Sequence, residues 1–116
     1  MTLKSHISID DEDFKLVTSI LDRYLKNTEI KVFVFGSRVS STARKYSDLD
    51  LALCLENQKI SQSLIDQISS EFERSLISVT VDIVDLNAIS SSFKKCIEDN
   101  LVELDFSWRN RDARNY

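Results

Sequence analysis

The chain lacks most of the residues that divide or crosslink a protein. Its 116 residues include no proline, one glycine, one histidine and two cysteines that are far apart. With no proline-rich or glycine-rich stretch to mark a linker, we expect a single domain over residues 1–116, with flexible tails at 1–10 and 108–116. The cysteines form no C-x-x-C pair, so neither a zinc site nor a disulfide framework is indicated, and we predict that both are buried thiols.

The hydropathy and charge of the chain argue against two further classes of protein. No apolar run approaches the ~20 residues that a membrane helix needs, and the N-terminus has no signal-peptide pattern. The formal net charge is -4, and there is no basic stripe with interleaved aromatic residues. We therefore expect a cytoplasmic protein that has no membrane partner and for which nucleic acid is not the main partner.

One segment, residues 36–53, has a composition with a chemical use. Gly36 and Ser37 follow an apolar run, and after ten further residues come Asp48 and Asp50, separated by one leucine. A glycine after a strand permits a sharp turn and the close approach of another group, and the adjacent serine can cap a helix or bind an oxyanion. The combination is typical of a site that holds a phosphate chain.

Alternation along the strand predicted over 48–55 brings the two aspartates together. Successive side chains of a strand point to opposite faces, so Asp48 and Asp50 share one face. The other face carries an unbroken apolar row: Leu49, Leu51, Leu53 and Leu55. Magnesium prefers carboxylate and phosphate oxygens, so this pair indicates a magnesium site. An isolated D-x-D is more often the solvent face of an edge strand, and the upstream Gly-Ser is what favours the metal site.

The G-S, ten residues, D-x-D pattern resembles the signature of nucleotidyltransferases of the DNA polymerase beta superfamily, in their minimal (MNT) form. The chain is similar to the stand-alone bacterial members over about residues 12–106. The similar positions include VDIVDL at 81–86, FKKCIEDNLVEL towards the C-terminus, and, around the motif, Phe35, Arg38, Ala43, Arg44, Ser47 and LDLAL.

The family has a third carboxylate on a neighbouring strand, and residues 79–85 offer two candidates. Val79, Val81 and Ile83 alternate along this segment and are expected to point into the core, so Asp82 points to the opposite face. Asp85 falls on the same face as these apolar residues, but it lies where the strand ends, so we expect it to begin a turn. We therefore predict that Asp82 is the third acidic residue of the site.

Basic residues follow the Gly-Ser pair in an otherwise acidic chain. Arg38, Arg44 and Lys45 precede Asp48 with no acidic residue among them. A local cationic loop suits a polyphosphate held against metal-binding carboxylates. Arg38 and Arg44 match family positions and are the better candidates, whereas Lys45 is more simply explained as an exposed loop residue.

Hydrophobic periodicity predicts the element order α-β-(α)-β-α-β-α-β. Helices are predicted over 11–27, 38–44 and 61–76 and around 93–97, and strands over 30–35, 48–55, 79–85 and 101–106. We expect the serine run at 90–92 to cap the last helix. The resemblance implies an α+β (α/β) nucleotidyltransferase fold, in which a small mixed β-sheet has helices packed on one face and the acidic site on the other. Burying three aspartates between two helical layers would be costly, which also favours an open face.

The resemblance further implies a Mg²⁺-dependent nucleotidyltransferase that moves a nucleoside monophosphate, AMP from ATP, to a hydroxyl acceptor. The implied catalytic and metal-binding residues, for one or two Mg²⁺ ions, are Asp48, Asp50 and Asp82. The implied nucleotide- and phosphate-binding residues are Gly36, Ser37, Arg38, Arg44 and Ser47. Because three close carboxylates repel one another, we expect Mg²⁺ to raise the thermal stability of the protein.

For the acceptor, the resemblance implies a helical partner encoded nearby, of the HEPN or nucleotidyltransferase-substrate-binding type. In such pairs the minimal enzyme is an antitoxin that transfers AMP to a tyrosine of a HEPN-type toxin, and a homo- or hetero-oligomer is compatible with this. Phe106 and Trp108 are a candidate docking point, unless the tryptophan packs on its own domain.

Two other functions stay open at the level of the sequence. The first is the catalytic subunit of a small-molecule (aminoglycoside-like) nucleotidyltransferase. The second is a non-catalytic module that neutralises a toxin by contact. The sequence does not identify the nucleotide base.

Overall fold

The computed structural model describes residues 7–40 and 47–104. The helices are α1 (Asp11–Leu25), α2 (Ser37–Ser40), α3 (Gln62–Arg74) and α4 (Ser91–Ile97), the last followed by a 3₁₀ turn at Glu98–Asn100. The strands are β1 (Lys31–Phe35), β2 (Leu49–Cys54), β3 (Val81–Asp85) and β4 (Val102–Glu103). The predicted order of elements is confirmed, with ends that differ by one to a few residues. The predicted residues 41–44 of the second helix and 105–106 of the last strand lie outside the described residues.

The four strands form one mixed sheet in the order β3-β2-β1-β4. β1 is antiparallel to both β2 and β4, whereas β2 and β3 are parallel, with α3 as the crossover between them. The predicted α+β fold with a mixed sheet is therefore confirmed. Two of the helices begin with a serine cap: the hydroxyl of Ser61 accepts from the Leu64 N–H, and that of Ser90 accepts from the Phe93 N–H, each at 3.1 Å. The cap predicted in the serine run is thus confirmed.

The main core lies between the sheet and the two long helices, α1 and α3. The leucine row of β2 is fully buried there, with Leu49, Leu51 and Leu53 no more than 1% exposed. These leucines pack with apolar residues of α1, α3 and β1, among them Val17, Leu21, Ile68, Phe72, Val32 and Val34. Burial of each such side chain contributes about 1.5–3 kcal/mol, so this face of the sheet provides most of the stability of the fold.

The other face of the sheet is only partly covered. A smaller cluster there consists of Phe35, Ala52, Leu86 and Ile97, with α4 supplying the isoleucine. The ring of Phe93, also on α4, meets that of Phe35 edge to face at 6.2 Å. The rest of α4 is exposed, and Cys96 with it, so the prediction of a buried thiol is wrong for Cys96, and Cys54 is only partly buried. α4 buries only one of its seven residues and therefore leaves room on this face for a site.

Asp85 is buried at the end of β3 and fixes the loops at that end of the sheet. One carboxylate oxygen accepts from the Ile60 N–H at 2.7 Å and the other from the Asn87 N–H at 2.9 Å. The Asn87 side chain in turn donates to the carbonyls of Leu55 and Gln58. The expectation that Asp85 begins a turn is confirmed, and its carboxylate has a structural role.

We expect the substitution Asp85→Ala to lower the free energy of unfolding by about 1–3 kcal/mol, because it leaves one buried and one partly buried N–H group without acceptors. Asp85→Asn keeps one acceptor oxygen and should cost less. Urea denaturation measures both, with Asp99→Ala as an exposed control that should change stability by no more than about 0.5 kcal/mol. Equal losses in Asp85→Ala and Asp99→Ala would contradict the assigned role.

Candidate nucleotide and metal site

The strand β2 positions two of the acidic residues. Asp48 lies directly before β2, and Asp50 is its second residue. Between them Leu49 is buried on the helix-covered face, so the two carboxylates project from the opposite face. Asp48 is exposed and Asp50 is half-buried, which leaves both accessible to a ligand.

The parallel strand β3 adds Asp82 to the same face. In the register of the two strands Asp82 lies directly opposite Asp50, and Val81 lies opposite Leu49. Neighbouring residues in register project from the same face of a sheet. Asp82, and not Asp85, therefore joins Asp48 and Asp50, on the face that alternation predicts.

The three carboxyl groups are close enough to perturb one another. Partial burial, and then the charges of Asp82 and Asp48, raise the pKa of Asp50 above its ordinary value. Partial burial, the charge of Asp48 and a hydrogen bond between these two carboxyl groups raise the pKa of Asp82. All three causes disfavour the ionised carboxylate, so ionisation of these groups lowers the stability of the folded state. Such a cluster is stabilised by a bound cation.

The donor chemistry of the three acids fits a hard divalent cation such as magnesium. Over residues 7–40 and 47–104, however, no three histidine, cysteine or acidic side chains are gathered tightly enough to form a ready ligand set. Rotation of the Asp48 and Asp82 side chains, which are both exposed, would therefore be part of forming a metal site here.

Gly36 makes room for the Asp50 carboxylate. Its φ of 80° lies in the region that glycine adopts most easily, and it ends β1 at the point where Phe35 pairs with Asp50. A Cβ atom added at Gly36 would collide with a carboxylate oxygen of Asp50. The turn and the acidic site are thus in direct contact, and only glycine satisfies both requirements. Ser37 follows as the first residue of α2 and is half-buried.

Arg38 is buried, only 7% exposed, and is directed towards backbone carbonyls. One terminal nitrogen of its guanidinium donates to the carbonyl of Ser8 at 3.0 Å and the other to the carbonyl of Ser47 at 2.7 Å. The Ser8 N–H donates back to the Arg38 carbonyl at 2.7 Å. The structure therefore favours a positioning role for Arg38, which ties the residue before Asp48 to the segment that precedes α1. Ser47 takes part through its backbone.

Nothing in the sequence pattern indicates this connection between Ser8, Arg38 and Ser47. Ser8 is 30 positions from Arg38, and no periodicity relates residues of an irregular segment to a distant arginine. One signal was available in the sequence. Arg38 lies in a largely apolar stretch, and burial of its guanidinium there is costly unless hydrogen-bond acceptors lie nearby. Arg44, the other arginine predicted to bind phosphate, lies outside the described residues.

A family model described as Polymerase beta, Nucleotidyltransferase matches residues 17–104. The chain thus belongs to the polymerase beta nucleotidyltransferase family, as the resemblance in the sequence indicates, and is a nucleotidyltransferase. A curated relative from Haemophilus influenzae (strain ATCC 51907 / DSM 11121 / KW20 / Rd), named "Probable protein adenylyltransferase MntA", is 33% identical over 97 residues, which cover 84% of this chain and 82% of the relative.

Solved structures show the same fold. One, a toxin-antitoxin structure with AMP-PNP, has a TM-score of 0.62 at 18% identity and is matched over 89% of this chain and 82% of its own. Another, a mutant of the toxin-antitoxin MntA-HpeT, has a TM-score of 0.59 at 16% identity, with 89% and 81% covered. At these identities the likeness shows the fold alone.

We expect Gly36→Ala to destabilise the protein by about 2 kcal/mol or more, because an alanine at this φ costs about 1–2 kcal/mol and its Cβ also displaces Asp50. The double-mutant cycle with Asp50→Ala separates the two effects. In the Asp50→Ala background the carboxylate is gone, so the cost of Gly36→Ala should fall towards the backbone cost alone. Urea denaturation of the four proteins gives the coupling; strictly additive costs would rule out the collision.

The raised pKa values of Asp50 and Asp82 set the pH dependence of stability. Below about pH 4, the ordinary aspartate pKa, the carboxyl groups are protonated in both the folded and the unfolded state, and the repulsion is absent. As the pH rises through the raised values, they ionise more readily in the unfolded state, so the folded state loses stability. We therefore expect Asp50→Asn to be more thermally stable than the wild type near neutral pH, in the presence of a chelator.

This advantage should shrink to nothing as the pH is lowered to about 4. Thermal unfolding across the pH range measures the difference in Tm. The matched control is Asp66→Asn, which makes the same charge change at an exposed position of α3. A pH-dependent gain of the same size in the control would show that net charge, and not the cluster, is responsible.

Among the described residues, no helix is long and apolar enough to cross a membrane.

Proposed function

We propose that this chain is a Mg²⁺-dependent adenylyltransferase that moves AMP from ATP to a tyrosine hydroxyl of a helical HEPN-type toxin and so acts as its antitoxin in the cytoplasm. The observation that carries the proposal is the projection of Asp48, Asp50 and Asp82 from one open face beside the Gly36 turn. The relative named as a protein adenylyltransferase supports the choice of a protein acceptor. The toxin-antitoxin structures of the same fold support a toxin as the partner.

Different residues of this chain would bind the cation, orient the phosphate chain and position the site. Asp48 and Asp50 would hold the divalent cation together with Asp82, and the Gly36 turn with Ser37 would orient the phosphate chain. Magnesium, when bound, supplies charge neutralisation for the triphosphate and Lewis-acid activation of the α-phosphorus. Arg38 would keep Ser47, and hence Asp48, in place at the start of β2.

We propose that Asp82 positions the tyrosine hydroxyl of the acceptor protein. Its carboxylate would hold the tyrosine hydroxyl in line with the α-phosphorus and accept its proton. The new bond joins the hydroxyl oxygen to the α-phosphorus, and the bond between the α- and β-phosphates breaks to release pyrophosphate.

The test follows an AMP group from α-labelled ATP in the presence of Mg²⁺ and the helical protein encoded beside this chain. We expect mass spectrometry to find AMP on a tyrosine of that protein. Asp50→Asn should lower the rate by about 10²-fold or more, because it removes a carboxylate that would hold the cation, and the cation neutralises the charge of the transition state. Asp66→Asn, with the same charge change on the outer side of α3, should leave the rate unchanged.

The two alternatives predict different results in the same experiment. Transfer to a small molecule such as an aminoglycoside, and not to the helical protein, would indicate the small-molecule enzyme. A tight complex with no AMP transfer, in which a variant lacking all three acids still neutralises the toxin, would indicate a binding module. A rise in Tm on adding Mg²⁺ that Asp82→Asn weakens would support the metal site independently of activity.

A further inference from the structure

A groove of about 720 Å³ lies between α3 and β3 and reaches the proposed active site. Its floor and walls include Phe72, Glu73, Ile77, Val79, Val81 and Asp82. The apolar side chains of the turn and strand, Ile77, Val79, Val81 and Ile83, are all only partly buried. Leu76, which adjoins Ile77 in the chain, is 91% exposed. The proposed reaction assigns no substrate to this groove, although Asp82 belongs to both.

The groove runs beside an open edge of the sheet. β3 is the outermost strand, and in the part of the chain that the structure describes it pairs only with β2. The Leu49 N–H donates to the Thr80 carbonyl and the Leu86 N–H to the Leu53 carbonyl. In a parallel ladder alternate residues bond to the same neighbour, so Asp82 is directed to β2. Val81 and Ile83 then present their N–H and carbonyl groups to the open edge, on either side of Asp82.

We propose, building on the function proposed above, that the acceptor protein docks by adding an extended segment to the edge of β3. Main-chain hydrogen bonds to Val81 and Ile83 would provide the register. Because side chains alternate in a strand, a hydroxyl-bearing residue beside Asp82 projects onto the acidic face, where the phosphorus is held. Its two neighbours project to the other face, over the partly buried apolar residues of the groove.

The chemistry of the groove defines the segment that fits it. The residues before and after the hydroxyl are apolar, because they lie on Ile77, Val79 and Phe72. The residues three positions before and after the hydroxyl residue project to the groove face again and carry positive charge, because the described residues that line the groove include two acids, Glu73 and Asp82, and no basic side chain. The acceptor is thus recognised as an extended strand, with specificity from alternate side chains.

The first measurement is binding of a short peptide with a central tyrosine, valine on each side of it and a lysine three positions away on each side, so that the valines and lysines share the groove face. Fluorescence anisotropy gives the Kd of the labelled peptide, and hydrogen exchange reports the amides of Val81 and Ile83. We expect both amides to become protected on binding, whereas that of Asp82, already bonded to β2, changes little. Failure of the peptide to bind, or binding without protection of these amides, would overturn the proposal.

Substitutions on the edge test the hydrogen bonds without touching the acidic site. Val81→Pro removes an outward N–H and leaves the ladder to β2 intact, since proline is tolerated at edge positions of this kind. We expect it to weaken peptide binding about three- to tenfold relative to Val81→Ala, which keeps the N–H. Equal affinities for the two variants would contradict docking through the main chain.

Charge reversal in the groove gives a second measurement that does not depend on the proline variant folding. Glu73→Lys should remove the preference of the protein for the lysine-flanked peptide over a matched glutamate-flanked one, because the new lysine offsets the remaining charge of Asp82, and Glu73→Gln should weaken this preference. Glu56→Lys, an exposed acid after β2, is the control and should keep the preference of the wild type. An unchanged preference in Glu73→Lys would place the peptide elsewhere.

The binding measurements and AMP transfer separate this proposal from the one on which it rests. Edge protection on peptide binding, with no AMP transfer to any acceptor, would support the docking edge and overturn the enzymatic function. Transfer to the helical protein with no protection of Val81 and Ile83 in the complex would support the enzyme and overturn the docking edge. The peptide binding constant thus tests the edge even in the absence of ATP.

Discussion

The alternation of side chains along β2 is the constraint on which the rest of the structure depends. Leu49, Leu51 and Leu53 are buried under α1 and α3, and this forces the residues between them to the other face. A shift of one residue would expose the leucines and bury Asp50, at a cost of several kcal/mol from the leucines alone. The hydrophobic effect thus fixes where the acidic residues lie, although it acts on the opposite face of the sheet.

The site itself costs stability, and the fold compensates through contacts that surround it. Asp50 and Asp82 are placed side by side with raised pKa values, and the turn at Gly36 leaves no space for a side chain. Against this, Arg38 holds the backbone before Asp48, and Asp85 fixes the loops at the far end of β3. Asp50 and Asp82 are thus accessible to a ligand, whereas Asp85 is buried and hydrogen-bonded to the backbone. The first two are suited to chemistry, and the third stabilises the fold.

Much of the site could be predicted from local patterns, because they report local geometry. Strand alternation places Asp82, and not Asp85, on the face of Asp50, and the single glycine marks the turn that approaches it. The role of Arg38 could not be predicted in this way. Its position beside a phosphate-binding motif suggests an exposed cation, whereas its burial against Ser8 and Ser47 depends on a segment far away in the chain.

The sequence alone determined the elements, the family motif and the face on which each acid lies, since all three follow from spacing along the chain. Only the tertiary structure decided the strand order β3-β2-β1-β4, and with it the open edge of β3 beside Asp82. It also decided the partial cover that α4 gives to the acidic face. These features depend on which strands become neighbours, and the free energy of that choice is spread over many distant contacts that no short pattern records.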